Sequence, residues 1–464
     1  MKPGCVKKIL SAIIFSLIAG LGWWTQVAKA DDVEDAKPSA IQKLNLDDTG
    51  NTDSSIIQKF KERFSGDLRI LTYGIVQEPA NSTQNPDNNF LQLPHYTANL
   101  ELRPDLRLNL EPLELSVKPR ARLEFDIWQE GSRQGDTQWK SDVYVNEWLV
   151  RLKARDNLFV SYGRENLQWG PSFLFSPSNP FFQDNGRSNP FLEVPGMDFA
   201  RVVWIPHSLW TASFIVNMDE GRNTLLGPDP FEKIYALKID YTGRENYASI
   251  ILSQKDYKKS LGFFGGWTVS DAVLVYSEGV MTEGSQALYP QIDSSLLGAS
   301  MQQIHQDDSS IQPILLVGSS YTLEASGTFS LEYAYNAPGY NCDEAESYYA
   351  LRRNGVTAFN MGGMAGALGL MTLGQTTNLG LRLLRKNYAM LQYTQNNIKN
   401  KIDIFMRWTQ NLDDGSCQAS AYMTYSLGNH FELFSLGVVS GGGRDTEFGS
   451  LLNYQMMIGL NYTL

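Results

Sequence analysis

Leu113–Ile127 has the sequence LELSVKPRARLEFDI, and its residues alternate without exception between two kinds of side chain. The odd-numbered positions are apolar, whereas the even-numbered positions are charged or carry a hydroxyl group. A β-strand places successive side chains on opposite faces, so the stretch predicts a strand with one apolar and one polar face. Soluble strands usually have about 5–6 residues, while a strand that crosses a membrane needs about 9–11. Length and pattern together favour a wall between lipid and water.

The first residues have the pattern of an export signal. Lysines near the N-terminus precede an apolar run over residues 9–21, and an Ala-Lys-Ala sequence ending at Ala30 supplies the small residues of a cleavage site. We expect cleavage after Ala30, which makes residues 1–30 a signal peptide, residues 31–65 a polar periplasmic lead-in and residues 66–464 the folded domain. An uncleaved anchor is the alternative.

No later stretch has the roughly 18 consecutive apolar residues of a transmembrane helix. Because only helices and closed barrels can cross a bilayer, an exported chain of this kind is either a soluble periplasmic protein or a barrel. The 464 residues include 39 Gly, 22 Tyr, 22 Phe and 10 Trp, which is typical of strands that face water on one side and lipid on the other. The composition therefore favours a barrel in the outer membrane of a Gram-negative cell.

The net charge and the cysteine content indicate which partners and which covalent cross-link the chain could have. The formal net charge of −11 provides no basic surface for nucleic acid, so we expect no nucleic-acid partner. The mature chain keeps two cysteines, Cys342 and Cys417, and an oxidising compartment permits a disulfide between them. Two free thiols are the alternative, because the sequence does not give the distance between them.

The alternation recurs along the chain and predicts a transmembrane antiparallel β-barrel of about 18 strands with long outer loops. Bacterial barrels have short periplasmic turns and an even number of strands. Short connections follow the even-numbered candidate strands, as at Glu111-Pro112, Arg155-Asp156 and Ser270-Asp271. The candidate strands cover residues 68–77, 97–110, 113–128, 142–154, 157–168, 198–205, 211–218, 233–241, 247–254, 261–269, 272–278, 313–323, 327–335, 387–396, 401–410, 418–427, 431–439 and 453–464.

Two long loops interrupt this pattern. Residues 170–196 contain a near-duplication, SNPFF at 178–182 and SNPFL at 188–192, and are too apolar to extend freely into water. The loop is either a lid on the barrel rim or a constriction folded into the lumen. Its candidate residues are Trp169, Phe181, Arg187 and Phe191, of which Trp169 is also a candidate for stacking on sugars. We expect residues 337–384 to fold inward as a partial plug.

The polar faces of the early candidate strands are expected to line the lumen of the barrel. They include Arg103, Arg107, Lys118, Arg120, Arg122, Glu124, Asp126 and Arg151. These charges either neutralise one another across neighbouring strands or remain partly unpaired and set the ion preference of a pore.

Catalytic and metal-binding patterns are lacking. The four histidines lie in unrelated loops and turns, and the sequence has no nucleophile elbow, zinc spacing or phosphate loop. Asp307-Asp308 and Asp413-Asp414 are either calcium ligands or solvated loop tips. We expect no enzyme activity, no cofactor and no resident metal.

With its export signal, alternating strands and amphipathic last strand, the chain resembles bacterial outer-membrane porins. Gly163-Arg164-Glu165, followed by Gln168-Trp169-Gly170-Pro171, is similar to a segment of capsule-assembly barrels of the Wzi type, whose members are associated with surface polysaccharide. The porin resemblance implies insertion by the barrel-assembly machinery. Leu464 replaces the usual terminal aromatic residue, so recognition would depend more on Tyr462.

The leading hypothesis is an outer-membrane channel for passive diffusion of small hydrophilic solutes, including ions, narrowed by residues 170–196. The alternative is a non-conducting barrel that binds or organises surface or exported polysaccharide. The expected partners are outer-membrane lipid and either small solutes or polysaccharide. A monomer and a homo-oligomer both remain open, because a subunit contact face is as apolar as a lipid face.

Overall fold

The computed structural model describes residues 63–222, 231–294, 297–306 and 309–464. The expected signal peptide, nearly all of the expected lead-in and the Asp307-Asp308 pair lie outside the described residues. The described part forms the following strands and α-helices. They are β1 (Phe64–Pro79), β2 (Tyr96–Leu110), β3 (Leu113–Ile127), β4 (Thr137–Arg155), β5 (Leu158–Glu165), β6 (Met197–His207), β7 (Trp210–Asp219), β8 (Ile234–Thr242), β9 (Asn246–Lys255), β10 (Lys258–Ser270), β11 (Val273–Glu283), β12 (Tyr289–Ile292), β13 (Ala299–Gln302), β14 (Ile311–Thr322), β15 (Gly327–Asn336), α1 (Cys342–Met361), α2 (Gly363–Gln375), β16 (Asn387–Ile398), β17 (Ile402–Asn411), β18 (Cys417–Leu427), β19 (Phe431–Gly441) and β20 (Leu452–Thr463).

Eighteen of these strands form one closed antiparallel ring. Each strand pairs with its neighbours in chain order, β11 pairs with β14, and β20 pairs back with β1, where Arg69 lies opposite Thr463. β12 and β13 form a separate small hairpin within an outer loop. The predicted 18-stranded barrel is confirmed, with β1 beginning at Phe64, two residues before the expected start of the domain.

The two faces of the wall have opposite chemistry. In β2, Leu100 and Leu102 are each 41 % exposed, whereas Glu101 and Arg103 between and beside them are only 5 % exposed. A soluble protein buries its apolar side chains, so this reversed arrangement is that of a wall whose outer face meets lipid and whose inner face is polar. Neither described helix is long and apolar enough to span a membrane.

The strand β3 contains an interruption at Pro119. A proline lacks the backbone N–H group that a strand needs, and the sequence predicts a bulge or local water at this point. The register between β3 and β4 shifts between Lys118 and Pro119. Between β2 and β3, Leu102 pairs with Ala121 and Leu106 with Val117, which places Pro104 opposite Pro119.

The guanidinium group of Arg120 supplies donors at this interruption. Its Nη1 donates to the carbonyl oxygens of Pro104 and Pro119 at 2.8 and 2.9 Å. Because neither proline can donate across the pair, an arginine side chain takes over part of the hydrogen bonding that backbone groups provide elsewhere in the wall.

Residues 337–384, which we expect to fold inward as a partial plug, contain the helical hairpin α1–α2. Asn341 caps α1 and forms a reciprocal capping box with Glu344. The two helices pack closely at Gly369, where a Cβ atom would lie 2.3 Å from the backbone nitrogen of Phe359. Arg352 of α1 donates to the carbonyl oxygen of Thr83 at 2.9 Å, so the hairpin is attached to the loop between β1 and β2.

The disulfide considered for Cys342 and Cys417 is not formed in the structure, where both residues are free thiols. Cys342 begins α1, and its Sγ lies 3.5 Å from Nη2 of Arg385. Cys417 begins β18 beside Gly441 on β19. The two thiols therefore belong to different parts of the outer surface and have different neighbours.

Candidate functional site

A long loop, residues 166–196, leaves the barrel wall after the short strand β5 and returns at Met197, which pairs with Glu165. The near-duplication in its sequence corresponds to two similar turns. Asn179 Oδ1 accepts from the backbone nitrogen of Phe181 at 3.0 Å, and Asn189 Oδ1 accepts from that of Phe191 at 3.1 Å. In both copies an asparagine side chain fixes the turn before the aromatic residue.

Two buried glutamates of the wall hold the first half of this loop. Glu278 on β11 accepts from the hydroxyl groups of Ser172 and Ser178 at 2.6 and 2.7 Å. Glu332 on β15 accepts from the backbone nitrogens of Phe173 and Leu174 at 2.7 and 2.9 Å. Charge-assisted hydrogen bonds of this kind are stronger than neutral ones. We call Glu278 and Glu332 the glutamate clamp.

Gly170 allows the loop to approach the glutamate clamp closely. Its φ is +90°, a conformation that favours glycine. A Cβ atom at this position would lie only 2.3 Å from Oε2 of Glu278. A larger residue at this position would therefore separate the loop from Glu278.

The second half of the loop is attached to β2 and β3. Glu193 accepts from Nε and Nη2 of Arg120 at 2.6 and 2.7 Å, and Arg120 also donates to Asp105 at 2.8 Å. The carbonyl oxygen of Phe191 accepts from Nη2 of Arg103 at 2.8 Å. The ring of Phe191 stacks on that of Phe434 with centroids 3.7 Å apart.

These two sets of contacts lie on distant parts of the ring. Seven strands, β4 to β10, separate β3 from β11 around the ring. β15 lies two strands beyond β11. A loop that contacts β2, β3, β11 and β15 therefore touches opposite walls of the same closed barrel. We call it the bridging loop.

The predicted lumen charges are mostly paired. Arg103 contacts Glu101 at 2.5 Å, and Lys118 contacts Glu147 at 2.9 Å. The remaining pairs are Arg122 with Glu124, Asp126 with Lys140 at 2.7 Å, and Arg151 with Glu114 at 2.9 Å. Arg107 differs, because its side chain is 61 % exposed and its nearest carboxylate, Glu114, is 3.8 Å away.

The other predicted loop residues have varied surroundings. The Trp169 ring packs edge-on against Phe181, with centroids 5.9 Å apart, and Nζ of Lys238 lies 5.4 Å from its centroid. Arg187 donates to the carbonyl oxygens of Gly170, Pro171 and Ser172, so its guanidinium group stabilises the start of the loop.

Sequence reasoning missed the glutamate clamp, Glu193 and Arg407. Arg407 is buried on β17 and donates to Ser188 of the bridging loop at 2.8 Å. The sequence does place Glu278, Glu332 and Arg407 on the polar faces of their strands. A position on the polar face does not, however, show that a residue contacts a loop.

The cavities within the described barrel include one beside the bridging loop and one beside the predicted lumen charges. The larger, about 740 Å³, is bounded by residues 177–195 and by the outer ends of β7 to β11. The smaller, about 290 Å³, includes Arg107, Lys118 and Arg151 among its lining residues.

The described residues include no cluster of side chains suited to hold a metal ion. Both carboxyl oxygens of Asp413 accept hydrogen bonds from Lys386 and Asn387, and Asp414 accepts from Ser416 and from the backbone nitrogen of Glu447. The carboxyl groups of Asp413 and Asp414 therefore hold neighbouring loop segments together.

The closed ring of eighteen antiparallel strands, with an apolar outer and a polar inner face, is the fold of outer-membrane porins and makes this chain an outer-membrane β-barrel. The solved structures with this fold include the following two. OccK8 (OprE) of Pseudomonas aeruginosa aligns with a TM-score of 0.51 and 9 % identity over 87 % of this chain and 99 % of its own. OccAB1 of Acinetobacter baumannii aligns with a TM-score of 0.50 and 9 % identity over 86 % of this chain and 96 % of its own. No known family profile and no curated protein sequence matches the chain.

Proposed function

We propose that the protein is a channel for the passive diffusion of small hydrophilic solutes across the outer membrane, and that the bridging loop narrows it. The observation that carries this proposal is the attachment of one loop to opposite walls of a closed barrel with a polar interior. Barrels of 16–18 strands normally enclose an aqueous channel. A loop attached on both sides of such a channel reduces its free cross-section.

The two cavities support a route past the loop. The larger cavity lies at the outer ends of β7 to β11, whereas the smaller one is lined by residues of β2 to β5, among them Arg107, Glu114 and Arg151 near the periplasmic turns. Solutes would enter the first, pass the bridging loop and leave through the second.

The charged residues of the lumen would contribute unequally to the ion preference of the channel. Arg120 and Arg103 are buried and bonded to the bridging loop, so they hold the constriction. Arg107 is the most exposed of the predicted cations and lines the smaller cavity together with Lys118 and Arg151. We therefore assign the ion preference of the channel mainly to Arg107, with Lys118 and Arg151 contributing less because each has a close carboxylate partner.

Recording from the purified protein in planar bilayers tests the proposal. The channel hypothesis predicts a steady open-channel current in KCl and swelling of proteoliposomes in small neutral solutes. A correctly folded barrel that carries no current, but binds exported polysaccharide, would contradict it.

We also propose that the exported chain begins after cleavage at Ala30. Intact mass measurement of the protein purified from outer membranes tests this, because the mature chain would then start at Asp31. A mass that includes residues 1–30 would contradict it.

A further inference from the structure

The first residue of α1, Cys342, is an exposed free thiol in the outer connection between β15 and β16. Its Sγ lies 3.5 Å from Nη2 of Arg385, which stands just before β16. The contact joins the start of the helical hairpin to the chain that enters the next wall strand. The sulfur atom is therefore accessible from solvent and lies beside a cation.

Arg385 is a buried cation without a close carboxylate. The residue is only 6 % exposed, and its buried Nε has no hydrogen-bond partner. Among the described residues, no acidic side chain forms an ion pair with it, and both oxygens of the neighbouring Asp413 accept from Lys386 and Asn387 instead. A buried charge without a counter-charge is unfavourable. An anionic sulfur at Cys342 would supply that counter-charge.

The beginning of α1 adds to the effect of Arg385. Asn341 caps this helix of 20 residues, so Cys342 occupies its first helical position. The N-terminus of a helix favours negative charge, and cysteines at such positions or beside an arginine react as thiolates. Asp343 and Glu344 in the same turn oppose this effect with their own negative charges. The guanidinium group of Arg385 is therefore the charge that decides how reactive the thiol is.

Cys417 has a different environment. It is partly covered and lies opposite Gly441 on β19, where a Cβ atom would be only 3.0 Å from its Sγ. Its sulfur thus packs against the neighbouring strand. In the part of the chain that the structure describes, no cationic side chain donates to it. The two thiols differ in both access and charge, which makes Cys417 an internal comparison for Cys342.

We propose that Cys342 is a site of reversible S-thiolation by small disulfides at the cell surface, and that Arg385 activates it. The thiolate of Cys342 attacks one sulfur atom of the disulfide, a new S–S bond forms and the original S–S bond breaks. The departing thiolate takes a proton from water. One disulfide is consumed and one is formed, so the exchange needs no other oxidant, and a small thiol reverses it.

The test measures the rate at which protein purified from outer membranes reacts with 4,4′-dithiodipyridine, a small neutral disulfide. Cys417→Ser is the background, and the rate of the same background with Cys342→Ser is subtracted. Arg385→Gln should react about three- to tenfold more slowly, whereas Arg385→Lys keeps the charge and should restore most of the rate. A loosened loop would expose the sulfur and speed the reaction, so a slower reaction reports the lost charge.

Two further variants test the same electrostatics without changing the buried arginine. Asp343→Asn removes a neighbouring negative charge and should speed the reaction about twofold. Asn360→Cys, made in a chain that lacks Cys342 and Cys417, places a thiol at an exposed position near the other end of α1. That thiol has neither the helix N-terminus nor Arg385 beside it and should react more slowly than Cys342.

The site is tested on cells with oxidised glutathione. After treatment of intact cells, the purified chain should be heavier by one glutathionyl group, and dithiothreitol should remove it. The Cys342→Ser variant should show no such gain. Absence of the gain in the parent protein would overturn the site. Arg385→Gln and Asp343→Asn variants that both react at the parent's rate would overturn the activation by charge. None of these outcomes depends on whether the barrel conducts.

Discussion

Arg120 on the barrel wall and Glu193 on the bridging loop are joined by two parallel hydrogen bonds of 2.6 and 2.7 Å. The guanidinium group is 2 % exposed, and it also contacts Asp105 and two backbone carbonyl groups of the wall. A bidentate contact of this kind has a fixed geometry as well as a favourable energy. The position of the bridging loop is therefore tied directly to a residue that also completes the wall.

Glu193→Ala should loosen this end of the bridging loop, which keeps the contacts of Phe191 with Arg103 and Phe434, while leaving the wall unchanged. We expect a larger and more variable single-channel conductance, because the loop keeps its other attachment but loses the one to β3. Asp156→Ala, in an exposed periplasmic turn, is the control and should conduct as the parent does. Equal conductance of the Glu193→Ala variant and the parent protein would contradict the assignment of the loop as the constriction.

Arg120→Ala should be more damaging than Glu193→Ala. Removal of the guanidinium group leaves the carboxylates of Glu193 and Asp105 without their cation and takes two donors from the Pro104–Pro119 pair. Breaking a largely buried ion pair from one side typically costs about 3–5 kcal/mol. The temperature at which the folded band disappears on a semi-native gel should fall more for Arg120→Ala than for Glu193→Ala, and the reverse order would be inconsistent with this assignment.

The glutamate clamp should control the other end of the bridging loop. Glu278→Leu removes the acceptor for Ser172 and Ser178, and we expect added protease to cut the loop in proteoliposomes. The same change should increase current noise. Glu324→Leu, in an exposed turn, provides the control. A loop as protected in the Glu278→Leu variant as in the parent would show that the clamp does not hold it.

Ion preference should depend on Arg107 more than on Arg122. The Arg107 side chain is largely exposed, and its closest carboxylate is 3.8 Å away, whereas Arg122 contacts Glu124 directly and also donates to Asn99 at 2.9 Å. Reversal potentials in a KCl gradient should shift toward cations in Arg107→Ala and change little in Arg122→Ala. An equal shift in both variants would contradict this ranking.

The outer loops should be held together more tightly at acidic pH. The Glu447 carboxyl group accepts from the backbone nitrogen of Leu384 at 3.0 Å and from Asn411 at 2.8 Å, and it contacts the Tyr388 hydroxyl group. Burial raises the pKa of Glu447 to about 7, and the nearby Asp414 carboxylate adds to this effect. A raised pKa in the folded state means that the stabilisation is complete below the ordinary pKa of a glutamate and is lost as the pH rises through about 7.

Protease access to residues 442–451 should therefore increase between pH 5 and pH 8 in the parent protein. In Glu447→Gln the side chain no longer titrates, so access should be the same at both pH values. Asp343→Asn, which changes an exposed carboxyl group at the first turn of α1, should retain the parent's pH response. A pH response that persists in Glu447→Gln would assign it to another group.

Cys342 should be reactive at the cell surface. It is an exposed free thiol at the beginning of α1, whereas Cys417 is partly covered. A membrane-impermeant maleimide added to intact cells should label the parent protein but not Cys342→Ser. Absence of labelling in the parent, with a mass two hydrogens lower than that of the reduced chain, would indicate a disulfide instead.

The strands were predictable from sequence because lipid and water impose the same period of two on every strand of the wall. All eighteen predicted strands correspond to strands of the ring, and even the interruption of β3 followed from Pro119. Residues 380–384, which belong to no predicted strand, also lie outside the strands of the ring.

The site was less predictable, because its contacts join residues far apart in the chain. Arg120 was predicted to line the lumen, but nothing near it in the sequence identifies Glu193 as its partner. The glutamate clamp was missed for the same reason. The hairpin α1–α2 was missed because residues 357–374 combine glycines with apolar residues, and glycine disfavours helices. Close packing at Gly369 explains why a glycine is tolerated there.

The pairing of Pro104 with Pro119 has an evolutionary consequence. Because the guanidinium group of Arg120 completes the backbone of the wall at this point, a mutation that alters its charge also weakens the barrel during insertion. Arg107 does not complete the backbone of the wall in this way, so its charge can change without loss of folding. Relatives of this protein with different solute preferences are therefore expected to vary at position 107 while retaining arginine at position 120 wherever both prolines are present.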